Sequence, residues 1–350
     1  MPFRAAIRSR PTRFPSSSAR GELEIIRQIR IRTEHTTGSA LSLGIGDDCA
    51  LLRSRPGDEF AVTTDLSIAG RHFRLDWHSP ESIGHRTLAR GLSDLAAMGA
   101  RPVAAFLSLG LPRELTVASG RRPPWVQRFL QGLLALAAAH KTPLAGGDLA
   151  ESPVALVDIV LVGRVPRGKA LLRSGARPGH QLYVTGTLGG AAAGLARLAE
   201  WAAAHPDPRP LQIPLRLDAL LAPHLYPQPR IAQGIWLQRR AVASAAIDLS
   251  DGLSTDLAHL CQESAVAAEI YAALLPIHPA STLAQALNGG EDYELLFTAP
   301  ASTRVPRSVG GVRITRIGCI LPRRPGRPAV TLVTPQGREP LSPQGWQHFS

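Results

Sequence analysis

Two α/β (α+β) domains are what this sequence predicts, on three observations. Strand-like and helix-like segments mix in both halves of the chain. A stretch rich in Gly, Pro and Arg, PRGKALLRSGARPG, separates the halves near residue 167. The chain has 350 residues, 44% of them hydrophobic, which suffices for more than one core. The expected division is an Arg-rich tail over 1–20, a first domain over 21–166 and an α/β second domain over 167–350.

Folding signals begin at Gly21, where ELEIIRQI carries Leu23, Ile26 and Ile29 at helical spacing. A Gly-rich turn, LGIGDDCALL, leads into a strand, EFAVTTD. Over residues 80–99, Ile83, Leu88, Leu92 and Leu95 fall on one helical face. Pro80 stands near the start and Gly99 near the end, as helix boundaries prefer. Strand VAAFLSL, a helix opening at Pro123-Pro124, and strands around TPLAGGD and VALVDIVLVG complete the first half. The second half reads as strand QLYVTG, helices across 188–204 and 230–240, strand ASAAIDLS and a helix from Leu253. Strands EIYAAL, YELLFTA and VRITRIG follow. The segment TGTLGGAAAGL (185–195) lacks the G-x-G-x-x-G spacing of a dinucleotide turn and reads as a strand-to-helix turn packed on small residues.

The net charge of +12 invites a nucleic-acid partner, but its distribution argues against one. Residues 1–20 carry five Arg and no acid, and residues 301–350 carry eight Arg against Glu339. The body between them balances, whereas a basic groove built into the fold leaves its body positive as well. Both basic ends are therefore expected to be loose and solvated. The first twenty residues superficially match a transit peptide, but they read as a disordered tail and are set aside. No apolar run approaches the ~18 residues that span a bilayer. Cys49, Cys261 and Cys319 are odd in number and far apart, which argues against a disulfide framework or a structural zinc site; a cytoplasmic location fits.

Acidic residues cluster in turns flanked by Gly, Ser or Thr: Gly46-Asp47-Asp48, Thr63-Thr64-Asp65, Ser93-Asp94, Gly146-Gly147-Asp148, Asp248 to Gly252, and Gly289-Gly290-Glu291-Asp292. Carboxylates spread over short loops suit magnesium, which takes oxygen ligands and completes its shell with water and substrate phosphates. Asp94 lies in an apolar helix, where a buried carboxylate demands a metal or a buried Arg. There is no Walker A sequence, and the chain's only lysines, Lys141 and Lys169, lie outside any glycine loop. No H-R-D with a following Asn, no G-x-S-x-G and no H-E-x-x-H occurs, so protein-kinase, serine-hydrolase and zincin readings have no support.

Taken in order, LGIGDDCALL, TTDLSIAGRHF, LSDLAAMGARP, AGGDLAESP, LLRSGARPG, LYVTGTLGGAAAGL, SAAIDLSDGLSTDLAHL and NGGEDYELLFT resemble the thiamine-monophosphate kinase family along nearly the whole chain from Gly21. The resemblance implies an aminoimidazole-ribonucleotide-synthetase-like fold, a homodimer, and an N-terminal domain that binds ATP and magnesium and dimerises. It implies transfer of a phosphate from ATP to thiamine monophosphate, giving thiamine diphosphate and ADP. Carried over position by position, it implies several Mg2+ ions held by Asp48, Thr63, Thr64, Asp65, Asp94, Asp148, Asp248 and Asp251. It implies ATP contacts from Gly147, Asp148, Arg173 and Ser250, and a thiamine-phosphate pocket of His72, Glu291 and Trp346. Gly91 departs from the Asn that relatives often carry before Leu-Ser-Asp. The alternatives are a selenophosphate or aminoimidazole-ribonucleotide synthetase, or a non-catalytic nucleotide-binding protein.

Overall fold

A computed structural model describes residues 29, 31–33, 40–43, 51–52, 55–118, 123–205 and 215–345. The tail 1–20, Asp48, Cys49, Trp346 and most of the first expected helix lie outside the described residues. A short ladder joins β1 (Leu41–Leu43) to β2 (Leu51–Leu52).

The first sheet contains β3 (Asp58–Ile68), β4 (Arg101–Leu111), β5 (Leu144–Glu151) and β6 (Leu156–Pro166), in the order β3-β6-β4-β5. Only β4 and β5 run parallel. Burial alternates along β6, where Val157, Ile159, Leu161 and Val165 turn inward. This is the period of two expected of a strand with one covered face. Two helices supply that cover, α1 (Pro80–Ala97) and α2 (Trp125–Ala139). Ser79 caps α1 by accepting from Ser82 N at 3.2 Å, and Gly99 ends it at φ +65°. The helices cross so closely that a Cβ at Gly84 would lie 2.0 Å from the Phe129 carbonyl oxygen.

The second sheet is built from β7 (Gln181–Thr185), β8 (Ala245–Asp248), β9 (Val266–Tyr271), β10 (Leu295–Ala299), β11 (Ser308–Val309), β12 (Val312–Pro322), β13 (Val330–Thr334) and β14 (Gly337–Pro340). Its order is β14-β13-β9-β12-β7-β10-β8, with β11 paired to β12 and only β9–β13 parallel. Its helices are α3 (Gly190–Ala204), α4 (Leu215–Leu225), α5 (Ile231–Arg239), α6 (Leu253–Glu263) and α7 (Leu283–Asn288). The basic stretch after residue 300 is folded rather than loose: it forms β11 to β14, and Arg338 pairs with Glu269 at 2.8 Å. Ile314, Ile317 and Ile320 of β12 are buried, a spacing that the register shift between Arg316 and Gly318 permits, while Arg313 and Arg316 face water.

Helix α1 packs against both sheets. Leu88, Leu92 and Leu95 share one core with Ile159 and Leu161 of the first sheet and with Leu295, Phe297 and Ile314 of the second. A second core, including Leu182, Ile247, Leu260, Ile270 and Ile320, belongs to the second sheet and its helices. Cys261 and Cys319 are free. No described helix is long and apolar enough to cross a membrane.

Candidate active site

The alternation of β3 decides which of its residues meet α1. Thr63 and Asp65 turn toward the helix, where Thr63 Oγ1 donates to Asp94 Oδ2 at 2.5 Å and Arg90 Nη2 lies 2.5 Å from Asp65 Oδ1. Arg90 also donates to Ser67 Oγ at 2.6 Å. Next along α1, Ser93 donates to Asp248 Oδ2 at 2.7 Å, at the end of β8. Consecutive residues of one helix thus join carboxylates and hydroxyls from both sheets.

These carboxylates sit in a poor environment for charge. Burial pushes Asp65 up to about 6; Arg90 opposes that shift and Asp94 adds to it. Burial raises Asp94, against the Thr63 hydroxyl and the Arg173 and Arg90 guanidinium groups. Asp248, 3% exposed, is pushed up to about 7 by burial and then by Asp94. Like charges gathered in low dielectric are what a hard dication relieves, and the donors are all oxygens. Among the described residues, no three carboxylate, imidazole or thiol groups converge tightly enough to hold an ion alone. The donor set therefore fits magnesium that draws the rest of its shell from water and phosphate.

The turn after β8 is held from below. Asp256 Oδ2, in the first turn of α6, accepts from Asp251 N at 3.1 Å and Gly252 N at 3.0 Å. Burial pushes Asp256 up to about 8, and the Asp248 and Asp251 charges push the same way. Gly252 takes φ +119°, and a Cβ there would lie 2.9 Å from the Asn288 carbonyl carbon. Gly345 N donates to Thr255 Oγ1 at 3.0 Å, which brings the chain just before Trp346 onto this turn.

On the other side, the loop after α7 carries Glu291. Its N–H donates to Ser250 O at 2.8 Å, and its backbone is left-handed at φ +68°. The next residue, Asp292, accepts from Gly189 N (2.6 Å) and Ala191 N (3.1 Å) and so caps α3. Glu291 Oε1 lies 2.5 Å from Arg86 Nη2, and Oε2 lies 3.4 Å from Nδ1 of the buried His224. Burial alone would raise the Glu291 carboxyl, but Arg86, His224 and Arg90 outweigh it and hold it well below the usual carboxylate range. His72 accepts from Ile68 N at its Nδ1, 3.1 Å away, and its carbonyl lies 3.4 Å from Arg86 Nη2.

The first sheet divides the expected ligands. Thr63, Asp65, Asp94 and Asp248 gather on its inner side. Thr64 faces outward, where its Oγ1 donates to Asp158 Oδ1 at 3.0 Å. Asp158 shares a cross-strand row with Ser108 and the exposed Asp148. Gly147 and Asp148 lie on β5, the edge opposite β3. A Cβ at Gly147, at φ +153°, would lie 1.9 Å from the Leu107 carbonyl oxygen. Arg173 is exposed, and its charge acts on both Asp94 and Asp248. Ser250 and Asp251 stand in the turn beside Glu291. Arg86, Arg90, Asp158, His224 and Asp256 escaped the sequence reading. The signal for two of them was present: 86, 90 and 94 recur every four residues, one charged stripe on an otherwise apolar helix.

Residues 46–165 match the family model described as AIR synthase related protein, N-terminal domain. The thiamine-monophosphate kinase of Escherichia coli (strain K12) is 42% identical over 292 residues, covering 79% of this chain and 84% of that one. The crystal structure of thiamine-monophosphate kinase from Stenotrophomonas maltophilia K279a superposes with a TM-score of 0.74 at 37% identity, covering 88% of this chain and 95% of that one. A structure described as AaThiL complexed with AMPPCP and TMP gives a TM-score of 0.71 at 30% identity, covering 94% and 97%. Likeness of this extent in sequence, together with a shared architecture over nearly the full length, makes this chain a member of the thiamine-monophosphate kinase family.

Proposed function

We infer that this chain transfers the γ-phosphate of ATP to the phosphate of thiamine monophosphate, giving thiamine diphosphate and ADP, as a magnesium-dependent cytoplasmic homodimer. The observation that carries the reading is the row of Asp65, Asp94 and Asp248, from β3, α1 and β8, partly or wholly buried and with Asp94 close enough to raise both of the others. The relative complexed with AMPPCP and TMP supports the same pair of substrates.

In this reading Thr63, Asp65, Asp94, Asp248 and Asp251 hold the metal on the inner side, with Asp48 joining them. Thr64 and Asp148 bind from the outer face and edge of the first sheet. Gly147, Asp148, Arg173 and Ser250 contact ATP; Gly147 brings bare backbone close, and Arg173 offers a forked donor to phosphate. His72, Glu291 and Trp346 receive thiamine monophosphate. Magnesium, when bound, supplies the positive charge that lets two phosphates approach. The acceptor oxygen is already ionised near neutral pH, so the protein's task is to align it with the γ-phosphorus and to keep water out.

The row Phe60, Val62 and Leu66 on the outer face of β3 supports a homodimer, with Val62 65% exposed. Nucleic acid and membrane have no part in this reading. The division after residue 166 is kept within it: the first sheet ends at Pro166 and the second begins at Gln181. The test is product formation from ATP and thiamine monophosphate, with and without Mg2+. Thiamine diphosphate appearing only with metal is expected, together with Michaelis constants for thiamine monophosphate raised several-fold in His72→Ala, Glu291→Gln and Trp346→Ala. ADP release without thiamine diphosphate would overturn the reading.

A further inference from the structure

We propose that Arg86 is a positioning residue that fixes the Glu291 carboxylate against His72 across the junction of the two sheets, and so sets affinity for thiamine monophosphate. The proposal rests on the reading that Glu291 and His72 line the acceptor pocket.

Arg86 belongs to α1 and is 5% exposed. Its guanidinium is used in three directions. One nitrogen, Nη2, lies 2.5 Å from Glu291 Oε1 and 3.4 Å from the His72 carbonyl; the other, Nη1, lies 3.1 Å from His224 Nε2. Burial, and then the Arg86 charge, hold His224 below the usual imidazole range, so it is neutral. Facing a guanidinium that can only donate, its Nε2 must accept, which leaves the proton on Nδ1. That Nδ1 is the atom 3.4 Å from Glu291 Oε2. His78 completes the arrangement: its Nε2 lies 2.9 Å from the same His224 nitrogen, to which it donates. Arg86 thus approaches one oxygen of Glu291, while His224, whose tautomer Arg86 selects, approaches the other.

The backbone of Glu291 is equally constrained. A left-handed non-glycine residue persists only where its surroundings over-determine it. Here Ser250 O accepts the Glu291 N–H, and Asp292 is tied to the start of α3. With its loop pinned and both oxygens faced, Glu291 still leaves 28% of its side chain open. A carboxylate held in place with one open edge is a receptor for a cationic or N–H-bearing ring, and thiamine offers both. Arg86 comes from the helix that packs on the first sheet, whereas Glu291 hangs from the second. This ion pair is therefore the side-chain tie between the two halves of the pocket.

The groups facing Glu291 are Arg86 and Arg90 from α1, His224 from α4, His78 just before α1, and Asp292 and Tyr293 from its own loop. Removing Arg86 leaves burial less opposed, which moves the carboxyl upward toward the working pH range.

The experiment measures Michaelis constants for both substrates in wild type, Arg86→Lys, Arg86→Met and Glu291→Gln from pH 5.5 to 8.0, with circular dichroism as the check on folding. In Arg86→Met the constant for thiamine monophosphate should rise tenfold or more, that for ATP should stay within about twofold, and kcat should change less than either ratio implies. The ratio of the thiamine monophosphate constant to the wild-type one should steepen toward pH 5.5, where the freed Glu291 carboxyl takes up its proton. Arg86→Lys should recover part of the loss, keeping the charge without the fork. Equal losses toward both substrates, or a ratio to wild type that does not change with pH in a folded Arg86→Met protein, overturn the proposal. If Arg86→Met does not fold, Arg86→Lys decides alone, and a wild-type constant for thiamine monophosphate there refutes it. An unchanged constant in Glu291→Gln sinks the pocket reading itself, whereas a raised one beside an unaffected Arg86 series sinks only the role of Arg86.

Discussion

Replacing Asp94 by Asn should move stability and activity in opposite directions, and that divergence separates a metal ligand from a structural carboxylate. In the metal-free protein, Asp94 adds to the forces that raise both Asp65 and Asp248. Asn keeps an oxygen for the Thr63 hydroxyl, so the loss there is only the difference between a charge-assisted and a neutral hydrogen bond, ~1 kcal/mol. Relief of repulsion among buried carboxylates returns ~1–2 kcal/mol at pH 8, where all three are otherwise driven to ionise. The balance is zero to slightly favourable, a melting temperature unchanged or raised by ~0–4 °C. Activity should fall ~100- to 1,000-fold, the effect of removing one charge contact, ~3–4 kcal/mol, from a preorganised transition-state site. Thermal denaturation in chelator at pH 8, set beside a coupled assay of ADP release with Mg2+, reads both quantities. A metal-free protein that melts well below wild type, or one that keeps turnover within tenfold, would refute the reasoning.

Metal-free stability should fall as pH rises above 6.5, where the buried histidines no longer oppose the buried carboxyls. Burial lowers His78 to about 3 and also lowers His224, so below 6.5 the unfolded chain takes up protons that the fold refuses, and their contribution shrinks as pH drops. Asp65, Asp248, Asp292 and Asp256, pushed up to about 6, 7, 7 and 8, keep protons in the fold that the unfolded chain has already released. That contribution is lost as pH rises through those values. Urea midpoints from pH 4.5 to 8.5 check both limbs, and a steady rise across the whole range would contradict the assignment. Val62→Asp, on the exposed face of β3, should turn a dimer into a monomer by light scattering with less than ~1 kcal/mol change in stability. A wild type that is already monomeric removes the homodimer from the proposed function.

The periodicity of α1 was plain in the sequence because its leucines recur on one face and its ends carry a proline and a glycine. Asp65, Asp94 and Asp248 stood out because each sits in a short polar cluster beside apolar strands or helices. Burial, not spacing, made the remainder invisible. Spacing puts Arg86 and Arg90 on one face of α1 but does not tell what they meet there: Arg86 reaches Glu291 and His224, far along the chain, whereas Arg90 reaches Asp65 and Ser67 of β3. Helix α4 was missed because Pro223 lies inside it and the stretch before it is Pro-rich. The strands after residue 300 were read partly by their charge, although the isoleucines set between the arginines of β12 carry the fold.

Ser93 and Asp94 are neighbours on a single rigid rod, yet one reaches β8 and the other β3. The gap between the opposing charges is therefore a property of how that rod lies in the core, where Leu88, Leu92 and Leu95 lock it to both layers. No hinge has to shut to bring those groups together, so the work of arranging them is done once, when the chain folds, and not at every turnover. Those groups cannot loosen ahead of the scaffold that holds them, and heat should part Asp94 from Asp248 only at the temperature where the interior around that helix gives way.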